Sequence, residues 1–117
     1  MKRGEIWTVA GGRGYVGKPR PAVVVQDDRF DATDSVTICA FTTDPTDAPL
    51  LRIPVAPDER TGLREPSCLM VDKLTTVSRS KLGTRIGTLS DEEIVRLNRA
   101  IAVFLGLGTS LRARREA

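Results

Sequence analysis

The stretch Lys18-Pro19-Arg20-Pro21-Ala22-Val23-Val24-Val25-Gln26-Asp27-Asp28 carries the strongest structural signal in the chain. Each of its two prolines fixes φ near about −65° and pushes the preceding residue towards extended backbone. Arg20 is therefore held stiffly at the start of a strand. The unbroken apolar run from Val23 to Val25 is typical of a strand that is buried on both faces or lies inside a small barrel.

The position of Arg20 makes it a candidate anion ligand. A guanidinium on a rigid strand end can hold a phosphate through two parallel hydrogen bonds with little loss of conformational entropy. The alternative is a solvated charge at a strand end, which is the common role of an isolated arginine. The residues that the fold brings beside Arg20 decide between an anion ligand and a solvated charge.

Composition limits the chemistry that the chain can perform. Its 117 residues suffice for one domain with one core, and 18 Lys and Arg against 15 Asp and Glu give a net charge of +3. This mild basic excess is consistent with an anionic partner, although many other proteins share it. Without histidine, imidazole acid-base chemistry is excluded. Cys39 and Cys68 lie in apolar runs typical of reduced core residues, so a zinc site is not expected. A magnesium site is harder to exclude from composition, and no metal or cofactor is assigned.

The chain carries no signal for membrane insertion or export. No apolar stretch approaches the roughly 20 residues that a membrane span requires. The start Met1-Lys2-Arg3-Gly4-Glu5 lacks the apolar segment of a signal peptide. We therefore expect a cytoplasmic protein without a membrane partner.

A glycine-rich loop precedes the central strand. Residues 11–18 contain four glycines, which is too flexible a composition for a helix or strand, and no P-loop or dinucleotide pattern is present. Arg13, Tyr15 and Lys18 place two cations and an aromatic ring on this loop. They suit phosphate and base contacts, and solvated loop charge is the competing interpretation.

Strand patterns flank this region on both sides. Residues 4–9 alternate as a half-buried strand, with Ile6 inward and Trp7 on the opposite face, where packing is favoured over base stacking. Residues 36–41 predict a strand that is antiparallel to the central one because the connection is short. The start of one strand then lies beside the end of the next, so Arg20 and Thr42 are predicted to be neighbours. The alternative is that Thr42 and Thr43 cap the turn that follows them.

The second half of the chain predicts three further strands and a helix. Residues 50–55 suit an edge strand because proline interrupts them, and residues 82–89 suit a short strand after a turn. Residues 67–77 read as one long strand that Asp72 and Lys73 interrupt, which suggests a site, a subunit seam or a surface ion pair.

The helix is predicted from its cap and its apolar period. Ser90 and Glu93 form a capping box, and Gly106 ends the helical pattern. The apolar positions predicted to share one face, as core or dimer surface, are Ile94, Leu97, Ile101, Phe104 and Leu105.

The chain resembles the MazF/PemK family of toxin endoribonucleases from about residue 2 to residue 106. The resemblance depends on a combination of segments: Arg3-Gly4-Glu5-Ile6-Trp7, Arg20-Pro21-Ala22-Val23-Val24-Val25-Gln26-Asp27, Thr42, Pro66-Ser67, Met70-Val71-Asp72-Lys73-Leu74, and Leu82-Gly83 to Gly87-Thr88-Leu89-Ser90-Asp91-Glu92-Glu93 with the following helix. Each segment alone is a weak signal, and the combination is specific.

This resemblance implies a mainly β fold with an SH3-like, CcdB/PemK-type antiparallel barrel and a C-terminal helix. It implies one toxin domain over residues 1–110, followed by a charged tail at 111–117. It also implies a homodimer and metal-independent, sequence-specific cleavage of single-stranded RNA, usually mRNA. A cognate antitoxin is implied as a partner, with operator DNA bound through that antitoxin.

The resemblance also implies roles for single residues. Arg20 and Thr42 match the family's catalytic arginine and threonine. Candidate RNA contacts are Arg13, Tyr15, Lys18, Thr43, Ser67 and Lys73. Some members carry a Glu-Gln pair before the arginine, where this chain has Tyr15-Val16, so no glutamate acid-base role transfers. Asp27, Asp72 and the Tyr15 hydroxyl are the possible substitutes, and each also has a structural interpretation.

Two other functions compete with the nuclease. A CcdB-like protein of the same fold would poison DNA gyrase without cutting RNA, and fold alone does not separate the two. A small nucleic-acid-binding barrel without toxicity is supported only by net charge. The pairing of Arg20 with Thr42 favours the nuclease.

Overall fold

The structure is a computed structural model in which residues 1–11 and 18–107 are described. Within these ranges the chain forms seven strands, β1 (Glu5–Val9), β2 (Arg20–Val24), β3 (Ser35–Thr42), β4 (Arg52–Val55), β5 (Ser67–Met70), β6 (Thr75–Ser78) and β7 (Leu82–Thr88), and one α-helix, α1 (Asp91–Leu105). Arg13, Tyr15 and the predicted tail at 111–117 lie outside the described residues. None of the described helices is both long and apolar enough to cross a membrane.

Antiparallel pairing joins all seven strands. Their order is β4-β5-β3-β2-β1-β7, and β6 pairs separately with β3. This confirms the prediction of a mainly β, antiparallel fold with a C-terminal helix. Within the described residues no pairing joins β4 to β7, so the barrel is open and β4 is an edge strand, as its prolines predict.

Strand β2 is buried on both faces, as its valine run predicts. Val23 packs into the main core beneath α1, together with Ile6, Leu69 and Leu97. Ala22 and Val24 alternate with Val23 along the strand and pack into a second cluster on the other face. Trp7 packs against that second cluster and donates a hydrogen bond from Nε1 to Glu5 Oε1 at 3.1 Å, which agrees with a packing role.

The prediction of one strand over residues 67–77 is wrong in its middle. Strands β5 and β6 both run alongside β3, but a 3-10 segment, Val71–Lys73, separates them. This turn buries Val71 completely and allows Asp72 to form an ion pair with Arg52 on β4. Asp72 and Lys73 therefore mark a turn, and the half-buried ion pair of this turn joins Asp72 to Arg52.

The helix begins and ends as its sequence predicts. The Ser90 hydroxyl accepts a hydrogen bond from Glu93 N at 3.1 Å, and the Glu93 carboxylate accepts one from Ser90 N at 2.8 Å. Gly106 ends the helix at φ 73°, a left-handed conformation that favours glycine.

The apolar face of α1 is divided between core and surface. Leu97 is buried in the main core, and Ile94 and Ile101 pack partly against it. Phe104 and Leu105, in the last turn, remain 44% and 53% exposed. The predicted face is therefore core in its first three turns and surface at its end.

Candidate active site

Arg20 is the first residue of β2 and is exposed to solvent. It pairs with Val9 of β1, and Pro21 pairs with Thr8, so the neighbouring strand supports the start of β2. Lys18 and Pro19 precede it and are also exposed. Lys18 thus places a second cation two residues before Arg20.

Thr42 is the last residue of β3, and Arg20 is the first residue of β2. The observed pairs between β2 and β3 are Ala22 with Ala40, Val23 with Cys39 and Val24 with Ile38. Continuing this register by two residues on each strand puts Arg20 opposite Thr42. Because side chains alternate along a strand, both lie on the face of Ala22 and Ala40. The observed ladder ends two residues short of both Arg20 and Thr42, so their proximity stays a prediction.

The Thr42 hydroxyl also caps the turn that follows β3. Its Oγ1 accepts a hydrogen bond from Asp44 N at 3.1 Å, so the alternative interpretation of this threonine is observed. A hydroxyl has two acceptor lone pairs and one donor proton, so this contact leaves the proton available to a ligand. The cap holds the hydroxyl in one orientation, which is compatible with a role in binding.

A cleft of about 530 Å³ opens at Thr42, and we call it the Thr42 cleft. Thr42 and Thr43 border it at the end of β3, Ser67 and Cys68 border it from β5, and Arg96 borders it from α1. The Ser67 hydroxyl donates a hydrogen bond to Glu65 O at 3.0 Å and the residue is buried, so Ser67 can offer a ligand only acceptor lone pairs.

The remaining candidate contacts are dispersed. Lys73 is exposed in the 3-10 segment Val71–Lys73 and is not part of the lining of the Thr42 cleft. Arg13 and Tyr15 lie outside the described residues. Of the six predicted RNA contacts, Thr43 and Ser67 share a cleft with Thr42, and Lys18 adjoins Arg20.

Both carboxylates suggested as a substitute base have structural partners. Asp27 accepts hydrogen bonds from Arg29 N and Nε at 2.9 and 3.1 Å, and these bonds lower the pKa of the Asp27 carboxyl. Asp72 forms the ion pair with Arg52. Their observed contacts therefore agree with the structural interpretation of each.

The two cysteines differ in exposure, which leads to a labelling prediction. Burial raises the pKa of the Cys39 thiol to about 12, whereas Cys68 is half-buried and borders the Thr42 cleft. Because thiolates are the species that react with alkylating reagents, native protein at pH 8 should incorporate iodoacetamide at Cys68 and not at Cys39. Peptide mass spectrometry measures this, with urea-unfolded protein as the control in which both react. Equal rates of labelling at Cys39 and Cys68 in native protein would contradict the burial of Cys39 in the core.

Two cleft residues, Glu93 and Arg96, were missed by sequence reasoning. In the sequence Glu93 is assigned only to the capping box, and Arg96 resembles an ordinary solvent-facing charge. Packing of α1 against β4 and the segment Val71–Lys73 brings both to the Thr42 cleft. No spacing within the sequence distinguishes Arg96 from Arg99.

The fold is that of solved toxin structures. An "Endoribonuclease in complex with its cognate antitoxin from Mycobacterial species" aligns with a TM-score of 0.75 at 22% identity, covering 92% of this chain and 96% of that one. "Mycobacterium tuberculosis toxin MazF-mt6" aligns at 0.74 and 23% identity over 87% and 96%. A MazE-MazF structure from Deinococcus radiodurans aligns at 0.75 and 15% identity over 91% and 96%. The chain thus has the fold of small β-rich toxins.

Sequence similarity identifies the family. The family described as "PemK-like, MazF-like toxin of type II toxin-antitoxin system" matches residues 2–105. The chain is also 56% identical over 107 residues to "Probable endoribonuclease MazF" from Mycolicibacterium smegmatis, covering 92% of this chain and 98% of that protein. The chain therefore belongs to the PemK-like, MazF-like family of type II toxins.

Proposed function

We propose that this toxin is a metal-independent endoribonuclease that cleaves single-stranded RNA, with mRNA as its usual substrate. Arg20 and Thr42 are its proposed catalytic residues. Membership of the toxin family and 56% identity to a protein named as a probable MazF endoribonuclease support the activity. The observation that supports the site assignment is the antiparallel register of β2 and β3, which would place Arg20 opposite Thr42 if it continued two residues beyond the pair Ala22 with Ala40.

The proposed reaction uses the substrate's own nucleophile. The ribose 2′-oxygen forms a bond to the adjacent phosphorus, and the bond from phosphorus to the 5′-oxygen of the next nucleotide breaks. The 2′-hydroxyl loses its proton and the leaving oxygen gains one, so the products carry a 2′,3′-cyclic phosphate and a 5′-hydroxyl. No oxidant, reductant or cofactor is required.

The two residues have different roles in this step. Negative charge builds on the phosphoryl oxygens in the transition state, and the Arg20 guanidinium would stabilise it through paired charge-assisted hydrogen bonds. Arginine keeps its proton in proteins, so Arg20 is not the general base. The Thr42 hydroxyl would donate its proton to a phosphate oxygen or orient the 2′-hydroxyl. Lys18, Thr43, Ser67 and Lys73, together with Arg13 and Tyr15, would contact the RNA strand.

The partners proposed for this chain follow from its family. Related structures are described with a cognate antitoxin and as a MazE-MazF complex, which supports an antitoxin partner here. A homodimer, operator DNA bound through the antitoxin and a cytoplasmic location are proposed from family membership alone. A small acidic protein encoded beside this one would be the expected antitoxin.

The rival function is gyrase poisoning, and one experiment separates the two. Purified protein is incubated with mixed RNA in EDTA, and the RNA ends are sequenced. Cleavage at a defined sequence with 5′-hydroxyl ends is expected. Intact RNA together with gyrase-dependent DNA breaks would favour the CcdB-like alternative, which the named relatives do not support.

Replacing Thr42 by valine should lower the cleavage rate. Thr42→Val keeps the volume and removes only the hydroxyl, so a loss of about tenfold to a hundredfold in kcat/KM is expected from one lost hydrogen bond in the transition state. Single-turnover cleavage of a short RNA containing the identified site measures it. Thr43→Val, the exposed neighbour, is the matched comparison and should have the smaller effect. Equal effects would contradict a specific role for Thr42.

A further inference from the structure

The walls of the Thr42 cleft are suited to a flat ring. Four of its lining residues are the prolines Pro45, Pro54, Pro57 and Pro66. Proline rings are rigid and lack a backbone N–H donor, so they form a stiff apolar surface. The volume of about 530 Å³ lies within the range of small-ligand sites. The volume and the proline-rich lining are therefore compatible with a planar heterocycle.

The charges in the cleft favour a nucleobase over a phosphate. Asp44 and Glu93 contribute carboxylates to the lining, and Arg96 contributes one guanidinium. Two carboxylates repel a phosphate. A nucleobase carries both donors and acceptors on its edges, and it can bond to carboxylate and guanidinium groups together. The phosphate is accordingly assigned to Arg20 and Thr42, and the part of the cleft lined by Asp44, Glu93 and Arg96 to a base.

Arg96 is the cleft side chain best able to read a base. Glu93 is engaged in the helix cap, where its carboxylate accepts from Ser90 N, and the Asp44 carboxylate accepts from the Thr46 hydroxyl at 3.0 Å. Arg96 is exposed on α1 and makes no hydrogen bond or ion pair to the part of the chain that the structure describes. Its guanidinium presents five donors in a planar fork, the geometry used to grip a base edge through two bonds.

Continuity with the active site indicates the position, relative to the cut, of the base that enters the cleft. Thr42 lines the cleft and is also the residue proposed to act with Arg20 on the scissile phosphate. An RNA strand with its scissile phosphate at Arg20 and Thr42 can direct an adjacent, unstacked base into the cleft. We propose that the Thr42 cleft binds a nucleobase flanking the scissile phosphate, and that Arg96 determines sequence specificity at that position. This inference rests on the proposed nuclease function.

The test compares cleavage preferences. Wild-type protein, Arg96→Ala and Arg96→Lys are each incubated with a randomised single-stranded RNA pool in EDTA, and the cleaved ends are sequenced. Arg96→Ala should weaken the base preference at one position flanking the cut by about tenfold, the value of one bidentate base contact, with other positions unchanged. Arg96→Lys retains the charge but loses the fork, so it should show the same loss of preference.

Arg99→Ala is the matched control. Arg99 lies one turn further along α1 and borders a neighbouring cleft of about 260 Å³ without lining the Thr42 cleft. It should retain the wild-type preference. Equilibrium binding of uncleavable 2′-O-methyl oligonucleotides that vary at that position should show the same loss of selectivity in Arg96→Ala.

The outcomes of these experiments separate failure of the nuclease function from failure of base recognition by Arg96. If wild-type protein leaves the pool intact, the proposed function fails and this inference fails with it. If wild-type protein cleaves and Arg96→Ala keeps its preferences, only the inference is overturned. A uniform loss of rate that Arg96→Lys restores would assign Arg96 to a phosphate and overturn base recognition.

Discussion

Replacing Arg20 by alanine is expected to lower RNA cleavage in EDTA by at least about a hundredfold. In the proposed site the Arg20 guanidinium is the cation that stabilises the transition state, and loss of one preorganised donor to a developing oxyanion costs about this much or more. Because Arg20 is exposed at a strand end, the stability of the protein should remain near that of the wild type. Single-turnover cleavage of a short RNA containing the identified site gives the rate, and urea unfolding gives the stability.

Two further variants make this result specific. Arg20→Lys keeps the positive charge but loses the planar fork, so its rate should fall between those of wild type and Arg20→Ala. Arg29→Ala removes an exposed arginine whose observed partner is Asp27, and it should cleave at the wild-type rate. Undiminished cleavage by a folded Arg20→Ala protein would end the assignment of Arg20 to the reaction.

The largest effect on stability is expected at Leu97. This residue is 1% exposed and joins α1 to Ile53, Leu69 and Val71 in the main core. Leu97→Ala removes buried methyl groups and leaves a cavity, so the free energy of unfolding should fall by about 3 kcal/mol. Urea denaturation monitored by circular dichroism measures the change.

The surface of the same helix provides the comparison. Val95 is 46% exposed, and Val95→Ala should change the free energy of unfolding by no more than about 0.5 kcal/mol. Leu97→Met conserves volume and should cost less than about 1.5 kcal/mol, which keeps the test informative if Leu97→Ala fails to fold. A Leu97→Ala protein as stable as Val95→Ala would contradict the packing of α1 against the sheet.

Elements with local causes were predicted correctly. The capping box depends on Ser90 and Glu93, three residues apart, and it forms as expected. The burial of Val23 between two apolar clusters follows from an uninterrupted valine run. These signals act within one turn or one strand, so the sequence contains them in full.

Features that depend on distant partners were not predicted. The break between β5 and β6 coincides with the Asp72 ion pair, whose partner Arg52 lies on β4, 20 residues earlier. Phe104 lies on the same face of α1 as Leu97. It is exposed because the core does not extend to the last turn of the helix. Neither the ion pair nor the extent of the core can be read from residues nearby in sequence.

By itself the sequence determined the antiparallel order around β2 and the capped helix, and it predicts the proximity of Arg20 and Thr42. Backbone restriction by proline, apolar period and a short connection suffice for these features, because each acts between residues close in sequence or on adjacent strands. Only the tertiary structure decided the Thr42 cleft and the presence of Arg96 in it. Four separate segments must pack together to form that cleft, and the free energy of such packing depends on contacts that no local pattern encodes.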